Sequence, residues 1–208
     1  RADGAPAPWG IRNIGAVFDP RADLSPGRRV RIDGKPGSVH GLLDLEEEGD
    51  RWLEALVHLD EGLALWLSVE WMPTPVATVW LPVRPTEVDG GPGEKQVRLG
   101  GTSFAFYENG TASYRATGET GTEPAGRVDY VDYVAEDSRR VSFERYGETG
   151  AGRRSTMLTG TCPQCGAAWQ PTSTGHCTSC GVNPTVDVGA WGTWEVSIGI
   201  PANDVSAA

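Results

Sequence analysis

The sequence predicts an all-β protein: two small antiparallel barrel-like units of the SH3 or Tudor kind, plus a four-cysteine zinc ribbon. Three observations carry that expectation. Short runs of alternating polar and apolar residues recur between turn signals, the pattern of half-buried strands. The 208 residues include 28 Gly and 15 Pro, a density at which regular helix is hard to sustain. All four cysteines fall in two C-x-x-C-G half-sites, Cys162-Pro-Gln-Cys165-Gly and Cys177-Thr-Ser-Cys180-Gly, eleven residues apart.

Residues 1–23 read as a Pro/Ala/Gly-rich arm that packs on the first unit, with Trp9 to Phe18 as material for one short strand. The first β unit and its Pro-rich linker span 24–95. Arg29 to Ile32 alternates, and Asp33-Gly34 turns it. Val39 to Leu45 is the second strand, and Glu46 to Asp50 is its charged hairpin tip. Trp52 to Leu59 is the third strand; its 3–4 apolar spacing also fits a short helix, but the flanking Gly-Asp and Asp-Glu-Gly turns leave too little length for one. Leu63 to Val69 is the fourth. Val76 to Leu81 is an edge strand, since prolines flank it and sheet interiors exclude proline.

The second β unit spans 96–150. Its strands are Gln96 to Leu99, Ser103 to Tyr107, Ala112 to Thr117, Arg127 to Ala135 and Arg140 to Tyr146. Asn109-Gly110 reads as a type I′ hairpin turn. Val128-Asp-Tyr-Val131-Asp-Tyr-Val134 is rich in the branched and aromatic residues that suit strand. The zinc ribbon spans 151–186. Residues 187–208 give a closing strand, Trp191 to Ile200, and a frayed tail from Asn203.

The ribbon carries the metal chemistry. Zinc takes four thiolates in a tetrahedron, and C-x-x-C lets two sulfurs from one tight turn reach the same ion. The Gly after each pair tolerates the turn, and Pro163 stiffens the first knuckle. Cys162, Cys165, Cys177 and Cys180 are therefore expected to hold one structural Zn2+. Two disulfides, or an iron or redox site, are the competing readings. His176 adjoins Cys177, as a donor behind the ligands or a surface residue. From Ser155 to Val186 there is no Asp, Glu, Lys or Arg. A ribbon gripping nucleic acid needs cations around its knuckles, so this one supports structure or docks a protein partner.

Charge limits partners further. Eighteen Lys+Arg stand against 28 Asp+Glu, a formal net charge of −10, a field that repels nucleic acid and anionic lipid. No apolar run is long enough to span a bilayer and no signal peptide is visible. Zinc-type cysteines suit a reducing compartment, so the cytoplasm is expected. The chain begins at Arg1 without Met, which leaves room for a leader, tag or upstream domain.

The stretches 41–70 and 115–148 resemble a bacterial family of domains of unknown function, the one numbered 4178. Its pattern is matched by Gly41, Trp52 with Glu54, Trp66-Leu67 with Glu70, Gly118-Glu119, the Asp-Tyr pairs at 129–130 and 132–133, and Ser142 with Glu144. Ala55 stands where the family often has Tyr. The resemblance covers roughly 28–150 and names no substrate. It implies an accessory protein of bacterial envelope or stress complexes, acting through partners.

Two function classes follow. The first is a non-catalytic interaction or scaffold protein. The second is a hydrolase with paired carboxylates in an aromatic-lined cleft, with Glu54 and Glu70 near two Trp and with His40 and His58 as further groups. Against the second, Glu54 and Glu70 read as alternating outward residues, and no nucleophile elbow, zincin or phosphate-loop motif is present. No catalytic residue is assigned.

Overall fold

Alternation needs a sheet with two dissimilar faces, and this chain spends most of its described length on such strands. The computed structural model describes residues 18–71, 76–148 and 194–208, together with short strands at 13–14, 160–161 and 168–169. In chain order the elements are β1 (Asn13–Ile14), the one-turn α1 (Pro20–Asp23), β2 (Arg29–Ile32), β3 (Lys35–Glu47), β4 (Asp50–Leu59), β5 (Ala64–Glu70), β6 (Val76–Val83) and β7 (Val88–Asp89). There follow β8 (Gln96–Leu99), β9 (Thr102–Gly118), β10 (Ala125–Val134), β11 (Arg140–Glu148), β12 (Gly160–Thr161), β13 (Ala168–Trp169), β14 (Glu195–Pro201) and β15 (Asp204–Ala207).

Thirteen strands form one sheet in the order β1-β15-β2-β3-β4-β5-β6-β14-β11-β10-β9-β8-β7, and β3 also pairs with β9. That extra pairing closes eight strands into a ring. The ring is not a regular barrel. Along one edge β3 pairs with β2 through Lys35–Ser38 and then with β9 through Gly41–Glu46. β9 does the same, pairing first with β8 and later with β3. A register shift sits at each fork, between Val39 and Gly41 on β3 and opposite Asp132 and Tyr133 on β9. Such bulges bend a strand and let it serve two neighbours. Two similar four-stranded halves, β3–β6 and β9–β11 with β14, thus meet at two antiparallel seams, β3–β9 and β6–β14.

The expectation of two separate barrel-like units is corrected, because hydrogen bonding runs unbroken through one sheet, and three apolar cores pack against it. One core gathers Leu24, Val30, Val39, Val57, Leu67 and Val205 outside the first half. A second gathers Val97, Phe104, Tyr133, Val141 and Phe143 outside the other half. A third fills the ring interior with Leu43, Leu45, Ala112, Tyr114 and Val128. Most ring strands therefore bury residues on both faces, with different chemistry on each; β9 leaves Asn109, Ser113, Arg115 and Thr117 of its outer face exposed.

Three further expectations are corrected. β6 is no edge strand: it lies between β5 and β14, with Pro82 opposite Ser197. Asn109-Gly110 does not turn; β9 runs straight through it, with Asn109 opposite Val131 and Gly110 opposite Tyr130. A Cβ at Gly110 would run into the Glu47 carboxylate and the Tyr130 hydroxyl, so this glycine serves a close approach. The tail from Asn203 is tied down as β15, paired with β2 and β1. The Asp33-Gly34 turn stands as read, with both residues at positive φ (48° and 80°) as a type I′ turn requires.

Candidate functional site

Register decides which side chains enter the ring. Across β4 and β5, Trp52 faces Glu70, Glu54 faces Ser68 and Leu56 faces Trp66; across β5 and β6, Trp66 faces Trp80. Across β10 and β11, Asp132 faces Ser142 and Tyr130 faces Glu144. Residues opposite each other in a ladder share a face, so these pairs project together into the interior. The reading of Glu54 as an outward residue is thereby overturned, while Glu70, on the same face, remains exposed to solvent. Alternation was real, but closure made the polar face an inner one.

At one end of the interior lies a cavity of about 720 Å³. Glu54, Trp66 and Trp80 reach it from the first half, Glu144, Tyr146 and Trp194 from the second. The β9–β10 loop adds Thr120 to Glu123 to its wall. Glu54 accepts a hydrogen bond from the Trp52 indole N–H at 3.0 Å, and Glu144 accepts one from the Tyr146 hydroxyl at 3.0 Å. Desolvation lifts both carboxyls above the ordinary carboxylate range, and the charge of Glu54 lifts Glu144 further. Tyr146 is pushed up in turn by burial and by the Glu144 charge beside it. No Lys, Arg or His lines the cavity among the described residues.

The carboxylates continue along the interior. Asp132 is buried and accepts from the Ser142 hydroxyl at 2.6 Å. Burial raises it to about 7 against that hydrogen bond. Glu108, exposed at the edge of this row, is also raised, by partial desolvation and then by the Asp132 charge. Glu47, placed at a solvated hairpin tip from sequence, instead accepts from the Thr111 N–H at 2.7 Å and from the Tyr130 hydroxyl. A guanidinium counters this row, that of Arg140, which lies 3.9 Å from Glu70.

The structure brings Glu54 together with Glu144 at the cavity. Glu70 is half-exposed beside Arg140 and does not line it. His40 and His58 stack on each other with centroids 3.9 Å apart, and His40 lies 3.7 Å from Glu119; neither lines the cavity. Sequence reading missed Glu144, Asp132 and Trp194 as site residues. The available signal was the row of carboxylates at even positions of β11 and β10 opposite polar partners. Cys162, Cys165, Cys177 and Cys180 lie outside the described residues, as does His176. What is described nearby is an antiparallel pair, Gly160 with Trp169 and Thr161 with Ala168, whose two strands flank the first C-x-x-C in sequence. Among the described residues no three His, Cys, Asp or Glu side chains converge to hold a metal ion, and no helix is long and apolar enough to cross a membrane.

The profile of a domain of unknown function (DUF4178) matches residues 25–161. The chain belongs to this family. It is 34% identical over 137 residues to uncharacterized proteins of Mycobacterium bovis and of two strains of Mycobacterium tuberculosis, covering 62% of this chain and 63% of each relative. The match thus spans less than two thirds of the curated relatives' length. No solved structure matches the chain.

Proposed function

We propose that this DUF4178-family protein is a non-catalytic accessory module that holds a small ligand in the ring cavity, acts through a protein partner and carries a structural zinc ribbon. The observation that carries the ligand-binding part is the cavity itself: a walled space with three indoles and paired carboxylates, set on rigid strands. What speaks against catalysis is the symmetry of the pair. Two-carboxylate hydrolysis needs one carboxyl kept protonated and the other kept ionised by its surroundings. Glu54 and Glu144 each receive one neutral donor and are both pushed upward. Among the described residues, no cation at the cavity holds either of them ionised.

The zinc ribbon rests on the spacing of its four cysteines. Thiolates of that kind favour a reducing compartment, the cytoplasm. The partner rests on the family resemblance, the acidic net charge and the uncharged ribbon.

Native mass spectrometry of the protein purified under reducing conditions tests the reading. It predicts one zinc per chain and a small-molecule adduct displaced by unfolding. A zinc-free chain with two disulfides removes the ribbon. Turnover of nitrophenyl glycosides that is lost in Glu54→Gln replaces the binding module with the hydrolase.

A further inference from the structure

The charge that the cavity leaves uncompensated narrows what it binds. We infer that the cavity takes an organic ammonium ion, held between the Glu54 and Glu144 carboxylates and beside the indoles of Trp66 and Trp80. The inference rests on the binding-module reading above and adds the ligand class.

Glu54 uses Oε1 for the Trp52 indole and Glu144 uses Oε2 for the Tyr146 hydroxyl. The second oxygen of each accepts from no described residue. Glu123 and Glu195, both solvent-exposed, stand at the rim of the same wall, again without a cation among the lining residues. Buried like charges without a counter-ion are costly, and either a proton or a cationic guest relieves them. Indoles are the strongest partners for such a guest, because the ring face carries negative potential and ammonium groups sit well against it. Three Trp line this one cavity; Trp194 already carries the Arg145 guanidinium over its ring, which leaves Trp66 and Trp80 for a guest. A bare metal ion fits poorly, since no three ligating side chains converge among the described residues and indoles offer it nothing. A neutral saccharide would use the indoles but leave the like-charge repulsion in place.

Binding is coupled to protons. An ammonium group that replaces the protons on Glu54 and Glu144 releases them, so affinity rises with pH until the pair is fully ionised. Isothermal titration of the full chain tests this with tetramethylammonium and a series of straight-chain α,ω-diammonium ions, with maltotriose as the neutral probe. Runs in two buffers of different ionisation enthalpy count the protons. The expected result is ammonium binding with proton release, an affinity rising up to about ten-fold per pH unit for each proton released, and loss of binding in Glu54→Gln/Glu144→Gln. That variant removes buried charge and keeps the shape, and Trp66→Leu provides a second one, with an expected several-fold loss. Ammonium binding that survives the double Gln substitution, or binding without proton release, overturns the inference. Binding of maltotriose alone overturns the ligand class and leaves the binding module standing. Binding of no probe overturns the inference as well, and glycoside turnover alongside it removes the binding module too.

Discussion

Asp129 and Asp132 stand three positions apart on β10, within one Asp-Tyr-Val-Asp-Tyr run, and they have opposite surroundings. Asp129 faces out of the ring. It accepts from the Arg145 guanidinium at 2.7 Å and from the Thr111 hydroxyl at 2.7 Å, and Arg145 also lies over the Trp194 ring at 4.7 Å. Asp132 faces in, and its hydrogen-bond donor is the neutral Ser142 hydroxyl. The next residues repeat the contrast. Tyr133, outward, donates to the Gly91 carbonyl and accepts from the Gly93 N–H, while Tyr130, inward, donates to Glu47. The outer face is a conventional core in which charge meets charge. The inner face keeps Glu54, Glu144 and Asp132 on neutral donors, with the Arg140 guanidinium beside Glu70.

The largest expected effect comes from breaking the outer pair. Arg145→Met leaves the largely buried Asp129 without its cation and lifts the guanidinium off Trp194. It is expected to destabilise the fold by about 3 kcal/mol, read as a lower urea midpoint with unchanged slope. Removing the inner charge acts in the opposite sense. Asp132 binds its proton more tightly folded than unfolded, so its contribution to stability is complete below the ordinary aspartate range and is lost as pH rises toward about 7. Asp132→Asn is therefore expected to stabilise by on the order of 2 kcal/mol at mildly alkaline pH and by almost nothing near pH ~4. Melting curves across that window check the sign; an equal gain at both ends would refute it. Gly110→Ala forces a methyl against Glu47 and Tyr130 and is expected to cost about 1–3 kcal/mol. A smaller loss in Gly110→Ala/Glu47→Gln than the two single changes sum to would confirm that one contact is responsible. The smallest effect belongs to the exposed Arg29–Asp60 pair, 2.6 Å apart at the surface. Asp60→Asn should leave the melting temperature unchanged within error, since solvent screens such pairs.

Much of the strand content was legible. The ends of β2 and β8 coincide with their sequence reading, because alternation there meets clear turn signals. What could not be read was which of two faces would be inside. Period two tells that Glu54 and Leu53 point opposite ways, but in a closed ring both directions are interiors. Leu53 is buried on the outer side of β4 and Glu54 faces the cavity. Asn109-Gly110 misled for a related reason. A glycine that admits Glu47 and Tyr130 has the same letter as one that turns a hairpin, and only the partner strand distinguishes them. The seams β3–β9 and β6–β14 join residues remote in sequence, and no local pattern announces such pairings.

The β6–β14 seam also sets an order of events during synthesis. β14 is translated after the cysteine segment, yet it fills the slot between β6 and β11. Until it emerges from the ribosome, both of those strands present unpaired edges to solvent, and unpaired edges recruit other chains. The nascent protein is thus most exposed to aggregation while its cysteine segment is being made. A chaperone covering these edges would limit such contacts until the last ring strand arrives.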